Sequence, residues 1–69
     1  MRIYKSKDVV IVVSGVEKRV VIKTGKSFAV LQLDDVKKVM ERAKEHLHDN
    51  QEALSALDKM LEEELASST

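Results

Sequence analysis

From Leu33 onward the sequence keeps one spacing. Leu33, Val36, Met40, Ala43, Leu47, Asn50, Leu54, Leu57 and Leu61 follow one another at alternating steps of three and four residues. Such a ladder belongs to a helix with an apolar stripe, and at two positions per heptad it has the period of a coiled-coil seam. Neither Gly nor Pro interrupts it as far as Ser67. Asp34 or Asp35 can cap its start, where a short carboxylate accepts from free backbone N–H groups. One continuous helix of about 30 residues would run ~45 Å, far longer than a strand in a small sheet. The alternative is a break at His48-Asp-Asn-Gln-Glu52, the weakest helix-forming patch, where Asp49 and Glu52 have the spacing of a capping box. Asn50 is the polar rung. In a continuous seam it fixes register or partner number; in a broken helix it marks the bend.

The residues before Asp34 follow a different rule. Val9-Val-Ile-Val-Val13 and Arg19-Val-Val-Ile-Lys23 are β-branched runs that crowd a helix and suit a pleated sheet. Phe28 to Leu33 reads as a further strand, and Arg2-Ile-Tyr-Lys5 as a short first one. Ser14 to Lys18 and Thr24-Gly-Lys26 supply turns, with Gly15 able to take the positive φ that a hairpin needs. The expected fold class is α+β: a three- or four-stranded antiparallel β-meander, then a long C-terminal helix, kinked near 48–51 in the alternative reading. Residues 1–69 form a single domain, with a β half over 1–33, a helical half over 34–66 and a frayed tail over 67–69.

The strands are apolar on both faces: Val9, Ile11 and Val13 on one, Val10 and Val12 on the other. Strands of this kind are normally covered twice, and a single helix covers one face only. The chain has 69 residues and no cysteine, so it is close to the lower size limit for folding alone and has no disulfide or thiolate metal site to help. A homo-oligomer, dimer or higher, is therefore expected, assembled through Leu47, Asn50, Leu54, Leu57 and Leu61.

Net charge is zero, yet residues 1–33 carry seven basic side chains against two acidic ones, and residues 34–69 carry five against ten. A basic β half beside an acidic helical half implies two surfaces with different partners. Lys5, Lys18, Arg19, Lys23 and Lys26 are the candidate nucleic-acid contacts, because cations on a sheet can neutralise phosphates. Arg19 and Lys23 lie on one face of one strand with Val21 between them. The competing role for such charges is to guard sheet edges against aggregation. The longest apolar run, Val9 to Val13, is far short of the ~20 residues that span a bilayer. No secretory leader is visible, and a cytoplasmic location without membrane contact is expected.

Other motifs carry less. Gly25-Lys26-Ser27 has the end of a phosphate-binding loop, but Val20 stands where the pattern needs glycine, and a strand follows in place of a helix. His46 and His48 are two apart and diverge on a helix. No hydroxyl nucleophile has a histidine in a plausible common site. The expectation is no enzyme, no metal and no cofactor. The run Glu62-Glu-Glu64 reads as a solvated helix end or a seat for a basic partner.

The order of elements, with Gly25-Lys-Ser-Phe-Ala-Val-Leu-Gln-Leu-Asp-Asp35 followed by Val36-Lys-Lys-Val-Met40, resembles the single-stranded-DNA-binding domain of the positive cofactor four transcriptional coactivators. Those domains have four strands leading into a dimerising helix. The resemblance spans residues 1–48 at most and is one of topology; the tryptophan usual early in that helix is missing, and the helical extension is additional. It implies DNA binding and transcription regulation. The function expected is a small oligomeric nucleic-acid-binding or regulatory protein that uses its basic sheet. The alternative is an adaptor that binds another protein through its heptad helix.

Overall fold

The structure, a computed structural model, describes residues 1–48 and 50–67. Four strands, β1 (Arg2–Lys5), β2 (Val10–Ser14), β3 (Arg19–Lys23) and β4 (Phe28–Gln32), form an antiparallel sheet in the order β1-β2-β3-β4. Two helices follow, α1 (Val36–Leu47) and α2 (Gln51–Ser67). The α+β order and the antiparallel meander agree with the expectation. The single long helix does not.

Both helices lie on one face of the sheet, α1 over β3 and β4 and α2 over β1 and β2. Ile11, Val13, Val20 and Ile22 of the central strands are completely buried against them. A continuous helix would exceed the longest dimension of the molecule, 34 Å. Folding back halves that length and doubles the width of sheet that is covered. Leu47, Leu54, Leu57 and Leu61, expected at an interface between copies, are therefore buried in the chain's own core. The buried stripe is also wider than the ladder. Val39, Ala53 and Met60 join it, as on a globular helix packed against a sheet and unlike a narrow coiled-coil seam.

Capping fixes where the helices begin and end. Asp35 Oδ1 accepts from the Lys37 N–H at 3.0 Å and starts α1. Asn50 Oδ1 accepts from the Ala53 N–H at 3.0 Å, so the polar rung is the N-cap of α2. Asp49, the expected capping-box residue, lies outside the described residues. Between the helices His48 takes φ 51° and ψ −119°, left-handed territory that costs a non-glycine residue of order 1–3 kcal/mol. The hydrogen bonds from His48 N–H to Lys44 O (2.8 Å) and from Asn50 N–H to Leu47 O (3.0 Å) hold this turn.

The β2–β3 turn corrects a second expectation. No glycine has positive φ; Lys18 does, at 52°. Gly15 is required for another reason. A Cβ there would meet Glu64 Cγ at 2.8 Å, because Glu64 reaches back from α2 to accept the Gly15 N–H at 3.0 Å. The same carboxylate takes the Met1 amino group at 3.2 Å and faces Arg2 Nε at 3.4 Å, while Arg2 also pairs with Glu63 at 2.8 Å. Glu63 and Glu64 thus staple the end of α2 to β1 and the β2–β3 turn; of the acidic run, Glu62 and Glu63 are exposed and Glu64 is buried. The Gly15 N–H above all, then the Met1 amino group, holds the Glu64 carboxyl below its ordinary range; partial burial opposes them, and the Met1 and Arg2 charges assist.

Asn50→Ala should lower unfolding free energy by about 1 kcal/mol through the lost cap, and Leu57→Ala by about 2–5 kcal/mol through the cavity it leaves, both measured by urea denaturation. Asn50→Leu should also destabilise, whereas a residue fixing an oligomeric seam would give a gain.

Glu64 predicts a pH dependence. Its folded-state pKa is depressed, so its charge stabilises the fold above the unfolded-state pKa, and that contribution disappears as pH falls through the folded one. The urea midpoint of the wild type should exceed that of Glu64→Gln near neutrality, and the two should converge on acidification. A gap independent of pH would contradict the ion-pairing role.

Candidate nucleic-acid interface

With both helices on one side, the other face of the sheet is open. The register defines it residue by residue. Ile3, Val12, Val21 and Val30 form a row across all four strands. Beside it runs Lys5, Val10, Lys23 and Phe28, and on its other side Ser14, Arg19 and Gln32. Ile3 is 63%, Val30 50% and Phe28 66% exposed. The Cβ period of two places these groups together: each strand puts its odd or even set outward, and the apolar members of that set have no layer above them.

Lys5 and Lys23 thus share a row, two strand spacings or about 10 Å apart, with Phe28 directly beside Lys23. Arg19 is on the same face across Val21, as its spacing predicts, and its guanidinium meets Glu17 at 3.2 Å. That pair is exposed on both sides and is worth little, so it leaves Arg19 available to a phosphate. Lys18 and Lys26 sit in turns at opposite ends of the sheet, in the β2–β3 and β3–β4 connections. The expected set therefore divides: Lys5, Arg19 and Lys23 belong to one surface, while Lys18 and Lys26 flank it.

Phe28 was missed in the sequence. Its signal was available in the alternation of β4, where Ala29 and Leu31 go to the core and Phe28, Val30 and Gln32 are left outside. An exposed aromatic ring beside an ammonium group suits a base, which stacks on the ring while its phosphate meets the cation.

The Gly25-Lys26-Ser27 turn is closed upon itself. Thr24 Oγ1 accepts the Ser27 N–H at 3.0 Å and the Lys26 N–H at 3.4 Å and lies 2.8 Å from Ser27 Oγ, so these two backbone N–H groups already have a partner within the turn. The turn borders a cleft of about 630 Å³ shared with His46 and His48 at the end of α1. Among the described residues no group of three His, Cys, Asp or Glu side chains could hold a metal ion, and no helix is long and apolar enough to cross a membrane.

Charge is divided more finely than by halves. α1 carries Lys37, Lys38, Arg42 and Lys44 against Glu41 and Glu45, whereas α2 carries five carboxylates against Lys59. The acidic element is α2, over β1 and β2; the β3–β4 side, including α1, is cationic.

No family model, curated protein or solved structure matches this chain. The resemblance to the coactivator domains accordingly stands on element order alone.

Proposed function

We propose that this domain binds nucleic acid on the open face of its sheet. The observation that carries the reading is Phe28, two-thirds exposed and paired across the strands with Lys23, in a row that also holds Lys5. Bases stack on Phe28 and lie over Val21 and Val30, while Lys5, Lys23 and Arg19 take the phosphates, with Lys18 and Lys26 extending the track from the turns. No base-edge reader is needed, so affinity comes from stacking and counterion release. The roles are those of a non-enzymatic accessory or regulatory factor. The adaptor reading through the heptad helix loses its main surface, because Leu47, Leu54, Leu57 and Leu61 are spent in the core.

Fluorescence anisotropy with labelled single- and double-stranded oligonucleotides tests this. Affinity should fall steeply with salt, and Lys23→Ala and Arg19→Ala should each reduce the salt slope by roughly one unit or less. Phe28→Ala should cost about 1–3 kcal/mol at a single stacked base and leave the salt slope nearly unchanged. Glu62→Gln, on the far side and in solvent, is the control and should bind as the wild type does. Absence of binding at about 100 µM protein, the weak end of non-specific association, would retire the proposal.

A further inference from the structure

The sheet has two edges, and they are not alike. Antiparallel pairs alternate between residues that exchange two hydrogen bonds and residues that exchange none. Thr24 N–H donates to Ser27 O at 2.8 Å and Leu33 N–H to Lys18 O at 2.9 Å, one bond at each end of the β3–β4 pair. With the observed register, the bonded pairs between them are Ile22 with Ala29 and Val20 with Leu31. Phe28, Val30 and Gln32 therefore direct their N–H and C=O groups outward along the β4 edge. In β1, the Ser6 N–H to Val9 O bond at 2.8 Å sets the parity in the same way, and only Ile3 and Lys5 face outward.

Edge strands in soluble proteins are normally blunted by charge, proline or a bulge. β1 has Arg2 and Lys5. β4, Phe-Ala-Val-Leu-Gln, has no charge and no proline, and it pairs with β3 without a bulge. It is a strand-length row of backbone donors and acceptors kept open.

A second observation lies beside it. Between β4 and α1 runs a cleft of about 310 Å³, lined by Val30 and Gln32 on the strand, Asp34, and Lys38 and Arg42 on the helix. Lys38 and Arg42 are one helical turn apart on a common face, both are exposed, and neither enters any of the ion pairs of the described residues. Asp34 offsets one of these charges, leaving the cleft cationic.

We infer that the β4 edge and its cleft form a docking site for an extended peptide of a partner protein that alternates apolar and acidic residues. The peptide adds a fifth strand by bonding to Phe28, Val30 and Gln32. Its side chains then alternate between two surroundings. Those on the open side pack beside Phe28 and Val30, and those on the helical side reach Lys38 and Arg42 as carboxylates. The charge on the cleft decides against a second copy of this chain, since two-fold pairing of β4 would bring Lys38 and Arg42 of both copies to one junction. The inference does not rest on nucleic-acid binding, although its open side shares Phe28 and Val30 with the surface proposed for the bases, so peptide and oligonucleotide would compete there.

A fluorescein-labelled peptide alternating valine with glutamate is the probe, with lysine in place of glutamate and a block-shuffled sequence as controls. The alternating acidic peptide should bind, and amide exchange should slow at Phe28, Val30 and Gln32 but not at Ala29 or Leu31, which are already bonded within the sheet. Val30→Pro removes a donor from the free edge without removing one from the β3–β4 ladder, and should abolish binding. The double change Lys38→Glu with Arg42→Glu should weaken the acidic peptide about tenfold or more and favour the lysine peptide instead, a readout that holds even if Val30→Pro fails to fold. Equal binding of all three peptides, or binding indifferent to the charge reversal, overturns the proposal. So does concentration-dependent protection of Phe28, Val30 and Gln32 without peptide, which assigns the edge to a second copy.

Discussion

Four strands at ~4.8 Å and two helices at ~10 Å have nearly the same width, and that match governs the molecule. One helix leaves half of such a sheet bare; two side by side cover one face completely. The apolar stripe of the C-terminal half is long enough to make two helices, and α1 and α2 divide the sheet between them, one per strand pair. Everything else is subordinate to that arrangement: the fully buried core of Ile11, Val13, Val20, Ile22, Leu57 and Leu61, and equally the exposure of the opposite face, for which no apolar layer remains.

Polar contacts fix α2 at both of its ends, and these are more specific than the apolar ones. At the bend, the Asn50 cap supports a turn in which His48 accepts an unfavourable backbone conformation. At the far end, Glu64 gathers Gly15, Met1 and Arg2. Apolar stripes permit α2 to slide or rotate by small amounts at modest cost. A carboxylate that must reach the N–H of a glycine, with no room for a Cβ between them, permits very little. It is α2, the last element of the chain, that holds the first strand and first long turn in place.

The strands were legible because β-branched runs leave few alternatives. β1 and β3 have the limits read from the sequence, β2 is shifted by one residue at each end, and β4 ends one residue earlier. Which face would be covered was not legible, since Val12 and Val21 are as apolar as Val13 and Val20 and only the position of the helices distinguishes them. The break between Leu47 and Gln51 was legible only as the alternative, because the three-four ladder runs through it in phase: Asn50 occupies a rung as well as a cap. Length was the better guide, as a rod of ~45 Å has nothing beneath it. For the candidate surface, Arg19 and Lys23 were placed on one face because alternation is local, whereas the row shared by Lys5 and Lys23 depends on the register across β2 and the separation of Lys18 and Lys26 on which turns share an end of the sheet. Treating residues 34–69 as one acidic block concealed the cations of α1, which a count by element restores.

The unequal charge of α1 and α2 has a consequence for how the molecule meets anything else. With formal net charge zero, the chain exerts almost no monopole attraction, and what field it has is dipolar, negative at α2 and positive along β3, β4 and α1. Such a field decays faster with distance than that of a net charge, and at physiological ionic strength it is screened within ~8 Å. It therefore contributes torque and not capture. A polyanion gains nothing from it at long range, but on close approach the domain turns to present the β3–β4 side first. Encounters with a charged partner are sorted by orientation at close range, and on the proposed reading the acidic helix faces away from the polyanion.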